Sequence, residues 1–214
     1  MEIKIPELSL VLMVGVTGSG KSTLAKKLFK PTEIISSDYC RAMVSDDEND
    51  QSATHDAFEL LRQMVRIRLK RGLLTVIDAT NVQPEARKQY AEIAREFHVL
   101  LTAIVLDLPE KVLRDRTAAR TDRDMPPHVI PKQRAQLRKS LGSLKYEGYR
   151  NQYVFKTEEE VAAIQGVIRE PLFNNKKHLN GPFDLIGDVH GCFDELQGLL
   201  LELGYSIEEK PFDF

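Results

Sequence analysis

Leu8-Ser9-Leu10-Val11-Leu12-Met13-Val14 runs directly into Gly15-Val16-Thr17-Gly18-Ser19-Gly20-Lys21-Ser22. The first stretch is apolar apart from Ser9 and reads as a short strand buried on both faces. The second matches the phosphate-binding loop G-x-x-x-x-G-K-[ST] in full. Its glycines let consecutive backbone N–H groups turn toward one anionic point without Cβ clashes. A helix is expected from Ser22 to Lys30, stopped by Pro31, and its N-terminus adds partial positive charge at the same place. Lys21 is then placed to reach β- and γ-phosphates, and the Ser22 hydroxyl to ligate Mg²⁺. Gly15, Thr17, Gly18, Ser19, Gly20 and Thr23 complete the candidate ATP-binding set. A strand before the loop and a helix after it distinguish this motif from a chance glycine turn.

Working outward, the chain alternates between the two kinds of element. Strands are expected at 33–36, 73–77, 99–106 and 152–155. Helices are expected at 56–71, 84–97, from Pro109 into the following basic segment, and at 131–142. Residues 56–71 carry an apolar stripe at helical spacing with Gly72 as the stop, and Pro84 suits a first helical turn. Residues 122–131 hold three prolines and read as a lid between two helices. Thr157-Glu158-Glu159-Glu160 is a capping box that predicts a last helix through Ile168. Alternating strands and helices imply an α/β fold, a parallel sheet with helices on both faces. Beyond Pro171 the polar run Asn174-Asn175-Lys176-Lys177 reads as a linker. A new strand at 183–186 and a helix at 193–203 follow, too little to bury a core alone.

Composition sets the wider bounds. The chain has 214 residues, 42% hydrophobic and 29% charged, with a formal net charge of −2, an ordinary globular mixture. That average hides an asymmetry. From Lys111 to Arg150 eleven Lys/Arg face four acids, whereas 46–59 is acidic. A basic stretch of this kind suits a polyanionic partner, a nucleotide or nucleic acid, or else forms a solvated helical face. Two distant cysteines, Cys40 and Cys192, fit a reducing compartment. Neither a spanning segment nor a secretory signal is expected, so the chain reads as cytoplasmic.

Further residues bear on chemistry. Asp38 follows the second strand, at the sheet edge where α/β folds bind ligands. It can accept a proton from an attacking hydroxyl, or it can simply cap a helix. Arg41, about one helical turn on, can grip an acceptor phosphate bidentately. Asp78 ends the third strand, where a carboxylate can act on Mg²⁺ through water or serve as a turn residue. Arg116 and Arg120 share a helix face and Arg123 begins the proline-rich break. All three can neutralise a transferring phosphoryl group, or be ordinary exposed charges. Gly187-Asp188-Val189-His190-Gly191 sets Asp188 and His190 on a loop, half of a two-metal phosphoesterase site for a divalent transition metal.

Taken together, these residues resemble the P-loop 5′-OH polynucleotide kinase module of the bacterial polynucleotide kinase-phosphatases of RNA repair. The resemblance implies a P-loop phosphotransferase fold with a helical lid over residues 1–170, and a linker with a truncated metallophosphoesterase start over 171–214. It implies ATP and Mg²⁺ as cofactors and 5′-OH RNA or DNA ends as acceptors. It gives Lys21 and Ser22 the nucleotide and Mg²⁺ roles, Asp38 that of general base and Arg41 the acceptor phosphate. Arg116 and Arg120, with Arg123 beside them, hold the ATP phosphates. It also implies that the rest of a longer repair enzyme is absent from this chain, so no phosphatase activity is expected of Asp188 and His190. Two other readings share the loop: a kinase for a sugar, antibiotic or metabolite hydroxyl, and a nucleotide-switched binding module that transfers nothing.

Overall fold

A computed structural model describes residues 1–120, 125–206 and 208. The chain divides into two compact units, Met1–Phe173 and Asn174–Phe214.

The first unit is built on a five-stranded parallel sheet. Its strands are β2 (Ser9–Gly15), β3 (Ile34–Ser36), β4 (Thr75–Asp78), β5 (Leu100–Leu106) and β6 (Tyr149–Phe155). The spatial order is β3-β4-β2-β5-β6, so β2 lies at the centre. All seven of its residues are buried, as a central strand covered on both faces requires. Leu10, Leu12 and Val14 enter one core, with Ala57, Leu61, Val65 and Leu69 of α3 (Thr54–Lys70) and with α4 (Pro84–Glu96). Val11 and Met13 enter the other, with Leu24 and Ala25 of α1 (Lys21–Leu28). The four-residue spacing on α3 is the helical period, and the alternation along β2 is the strand period. The parallel α/β fold expected from the sequence is therefore the fold observed.

Three boundaries differ from expectation. The helix capped by Thr157 ends early, as α7 (Glu158–Ala162), although its capping box to Glu160 is formed. Residues Gly166–Glu170 leave the helix and become β7, which pairs in parallel with an unexpected first strand, β1 (Glu2–Pro6). Ile3 and Ile5 of β1 are fully buried against α1 while Glu2 and Lys4 face outward. This gain in apolar burial and ladder bonds outweighs one further helical turn. The helix before β6, α6 (Val129–Leu141), starts two residues before Pro131, which its first turn tolerates. The helix after β5 is α5 (Glu110–Ala118).

In the second unit a helix forms as expected, α8 (Phe193–Glu202). The strand expected at 183–186 does not form among the described residues; Phe183, Leu185 and Ile186 stay exposed. A strand is defined by its ladder, and here no neighbouring segment supplies one. No helix among the described residues is long and apolar enough to cross a membrane.

Candidate functional site

The C-terminal ends of the central strands meet at one edge. Met13 pairs with Asp78 and Ser36 also pairs with Asp78, so the loops after β2, β3 and β4 open onto one cleft of ≈ 590 Å³. Gly15 sits at the base, its N–H donating to the Thr80 carbonyl at 2.9 Å. Thr17, Gly18, Ser19, Gly20, Lys21, Ser22 and Thr23 line the wall. Gly18 and Gly20 have φ of 80° and 89°, the left-handed region that penalises other residues. A Cβ on Gly18 would lie 2.6 Å from Thr117 Oγ1 and 3.0 Å from the Leu113 carbonyl oxygen, because α5 packs on the loop. Gly20 precedes α1 and provides no side-chain cap, which leaves the first amides of that helix for an anion.

Lys21 is buried, and its Nζ donates to the Val16 carbonyl at 3.0 Å. Burial pushes its pKa down to about 8; Asp78 and Asp38 pull it back up, and Arg120 lowers it. The Ser19 hydroxyl is buried without a hydrogen-bond partner among the described residues. That hydroxyl lies against Gly15, where a Cβ would come within 2.8 Å of it, so it packs beneath the loop. Asp78 is buried as well. Burial raises its pKa, against a hydrogen bond from the Ser22 hydroxyl and the charge of Lys21. This hydroxyl and carboxylate are the hard oxygen donors that suit Mg²⁺.

Asp38 does not cap its helix. In α2 (Ser37–Ser45) the cap is Ser36, whose hydroxyl accepts from Asp38 N at 3.2 Å and Tyr39 N at 3.4 Å. The Asp38 carboxylate thus reaches the cleft wall opposite the loop. Arg41 Nη1 donates to its Oδ1 at 2.8 Å and to the Glu48 carbonyl at 2.8 Å. Arg41 is buried and does not line the cleft; it meets the site through Asp38.

The lid side adds the arginines. Arg116 Nη1 donates to the Ser19 carbonyl at 3.2 Å, and Nη2 pairs with Glu158 of α7. Arg120 is on the cleft wall, and Arg123 lies outside the described residues. Gln133 of α6 was not legible in the sequence: its Oε1 accepts the backbone N–H of Thr17 at 2.8 Å. Nor was the buried anchor behind the site. Arg87 of α4, fully buried, donates to both carboxylate oxygens of Glu147 at 2.7 Å and to the Asn81 carbonyl at 2.9 Å. The Asn81 amide in turn donates to the Met13 carbonyl at 2.8 Å, just before the loop.

The second unit holds the remaining candidates. Asp188 and His190 pair with each other at 2.8 Å, both exposed, and no third ligand converges on them among the described residues. They do not fit a metal centre as they stand. His55, Asp56 and Glu59 do converge, but on an exposed helix start, where acidic groups commonly gather without an ion.

A glycine loop after the central strand, a buried lysine at a helix start and a carboxylate ending the adjacent strand define a P-loop α/β nucleotide-binding domain of kinase-like layout. The chain belongs to the AAA domain family, whose profile matches residues 10–141. Similar solved structures include the Pnkp1/Rnl/Hen1 RNA repair complex, with TM-score 0.55 and 23% identity over 65% of this chain and 47% of that one. AvrRxo1-ORF1:-ORF2 with ATP is also similar, with TM-score 0.53 and 15% identity over 72% of this chain and 56% of that one. At these identities the likeness is one of fold. A stretch of 31 residues is 55% identical to the asymmetrical bis(5′-nucleosyl)-tetraphosphatase PrpE of Halalkalibacterium halodurans. It covers 14% of this chain and 13% of that protein. The chain thus spans under half of the repair-complex chain and a small part of the tetraphosphatase.

Proposed function

We propose that residues 1–170 are an ATP- and Mg²⁺-dependent kinase that moves the γ-phosphate to the 5′-OH end of RNA or DNA. Residues 171–214 are then a linker and the start of a metallophosphoesterase domain that belongs to a longer repair enzyme. The observation that carries this reading is the placement of Asp38. It shares a cleft with Lys21 and couples to its charge, while Arg41 rather than a helix cap holds it. A carboxylate facing a phosphate site, with a basic partner behind it, is what transfer to a hydroxyl needs.

In this mechanism the loop amides and Lys21 bind the phosphates. Ser22 would hold Mg²⁺ directly and Asp78 through water; when bound, the ion supplies charge neutralisation at the phosphates. Asp38 orients the 5′-OH and takes its proton as the oxygen attacks phosphorus in line. The O5′–P bond forms, the bridging P–O bond breaks, and ADP leaves with the electron pair. Arg116 and Arg120, with Arg123, neutralise charge on the transferring group. Arg41 fixes the Asp38 carboxylate from behind the cleft wall rather than gripping an acceptor phosphate itself.

A nucleic-acid acceptor is favoured over a metabolite by the basic 111–150 segment and by the fold shared with a protein of an RNA repair complex. A short stretch of likeness to a tetraphosphatase is in keeping with phosphoesterase sequence in this chain. Labelled ATP offered with a 5′-OH oligonucleotide and with a metabolite panel tests the proposal. Labelling of the oligonucleotide supports it; labelling of a metabolite alone, or phosphate release with no labelled acceptor, overturns it.

A further inference from the structure

The cations of the basic segment between Lys111 and Arg150 fall into two sets. One set is neutralised within the protein: Arg114 and Arg134 both pair with Glu110, and Arg116 pairs with Glu158. The other set is exposed, namely Lys132, Arg138 and Lys139 of α6, with Lys145 and Arg150 beyond it. None of these five has a carboxylate partner among the described residues.

Most of the exposed set lies on one side of a short run of chain. Ile130, Leu137, Ser140 and Leu144 are buried and fix the inward face of α6 and of the 3₁₀ turn Leu144–Tyr146 after it. Lys132 and Lys139, two helical turns apart, share the outward face with the exposed Ala135 between them and Arg138 beside them. Gly142 and Ser143 then lead to Lys145, whose Nζ lies 4.7 Å from the centroid of the Tyr146 ring. That ring stays 80% exposed. Cations in the last turn of α6 gain from the helix dipole. The dipole accounts for neither Lys132 in the first turn nor Lys145 and Tyr146 beyond the helix. Cations interleaved with an exposed aromatic are the composition of a single-strand binding surface.

This surface starts at the cleft. Gln133, next to Lys132, accepts the Thr17 N–H at 2.8 Å, and Thr17 lines the same cleft as Asp38. From there α6 runs about 9 Å to Lys139. The other side of the site has the opposite charge. The acidic 46–59 stretch joins α2 to α3, and both helices pack against β3. The Leu144–Tyr146 turn packs instead against β6, at the far edge of the sheet. A polyanion with its end at Asp38 is therefore repelled toward β3 and drawn along α6.

We propose that the outward face of α6 and the turn after it bind the acceptor strand beyond its 5′ end. Lys132, Arg138, Lys139 and Lys145 meet successive phosphodiesters, and a base stacks on Tyr146. This rests on the kinase reading for what happens to the 5′ end, but strand binding is measured without transfer.

The test is equilibrium binding of a labelled 5′-OH oligonucleotide of about twelve nucleotides, as RNA and as DNA, to the full chain across a range of salt. Arg138→Gln/Lys139→Gln/Lys145→Gln should weaken binding of the preferred strand at least about tenfold at low salt. It should also flatten the dependence of log K on log salt by about two. A control with the same charge loss, Lys70→Gln/Arg71→Gln/Lys88→Gln, removes exposed cations of the α3 end and α4 and should change binding less than about twofold. Tyr146→Ala should weaken binding about tenfold with the salt slope kept, and Tyr146→Phe should retain it. ATP affinity should stay unchanged in every variant, which also reports folding. Wild-type binding by the first triple variant, an equal loss in the control, an equal loss of ATP affinity, or no oligonucleotide binding by the wild type would each overturn the proposal. Strand binding with no labelled oligonucleotide in a parallel transfer assay would overturn the kinase reading and support the surface.

Discussion

Arg41 Nη1 lies 2.8 Å from Asp38 Oδ1, one helical turn away on α2, and the guanidinium is buried while the carboxylate reaches the cleft. The pair therefore has a direction. Arg41 holds the carboxylate from the protein side and leaves it facing the phosphate loop. Arg41→Lys keeps the charge but replaces the planar guanidinium, whose Nη1 donates to both Asp38 and the Glu48 carbonyl, with a flexible ammonium. Transfer should fall about ten- to hundredfold, the cost of one charged hydrogen bond, with ATP affinity nearly unchanged. Steady-state transfer kinetics beside nucleotide titration check this; equal loss of both would show that Arg41 serves the fold of the loop instead.

Lys21 gives a pH signature. Burial holds its pKa near 8 against 10.5, so between those values the unfolded chain binds more protons than the folded one. Stability of the nucleotide-free protein should rise with pH across that window. ATP phosphates restore the charged ammonium, so ATP binding near pH 8 should take up protons. Calorimetry in buffers of different ionisation enthalpy measures the uptake, which should vanish in Lys21→Met.

The two lid arginines should differ. Arg116 also holds the Ser19 carbonyl of the loop, so Arg116→Ala should weaken ATP binding as well as turnover. Arg120 lines the cleft, and Arg120→Ala should act mainly on turnover, by about a hundredfold, as loss of a transition-state donor does. Comparison of kcat with KM for ATP in the two variants separates these effects.

Behind the site, Glu147 carries the fully buried Arg87. Burial alone would raise the Glu147 pKa, but hydrogen bonds from Arg87 and Ser143 outweigh it and hold the carboxyl below its ordinary range. Its stabilising share is present above the ordinary glutamate pKa and is lost as pH falls through the lowered value. Glu147→Ala strands a buried guanidinium and should cost about 3–5 kcal/mol in denaturant unfolding. Arg87→Met should cost less, because Glu147 is partly exposed.

The features legible in the sequence were those that local chemistry fixes. The glycine spacing and the Leu8–Val14 run place the central strand, loop and helix without any distant contact. Asp38 and Arg41 could be paired because three residues make nearly one helical turn, but nothing in their spacing shows that Arg41 is buried behind Asp38. Gln133 was invisible for a different reason, since its partner Thr17 is 116 residues away and one polar helix residue looks like another. Residues 166–168 were misread as helix because a helix start at Thr157 says little about where the helix ends. Their fate depends on Glu2–Pro6, at the other end of the unit. That first strand did show its two-residue alternation, Glu2-Ile3-Lys4-Ile5, in a segment too short to decide alone.

The most direct measurement is transfer of labelled γ-phosphate from ATP, with Mg²⁺, to matched 5′-OH RNA and DNA oligonucleotides by the wild-type chain and by Asp38→Ala. The wild type should label an oligonucleotide, and Asp38→Ala should lose about 10²- to 10⁴-fold in rate, as removal of a general base does, while binding ATP nearly as well. Full transfer by Asp38→Ala would contradict the role of Asp38, and no oligonucleotide labelling by the wild type would contradict the kinase proposal itself.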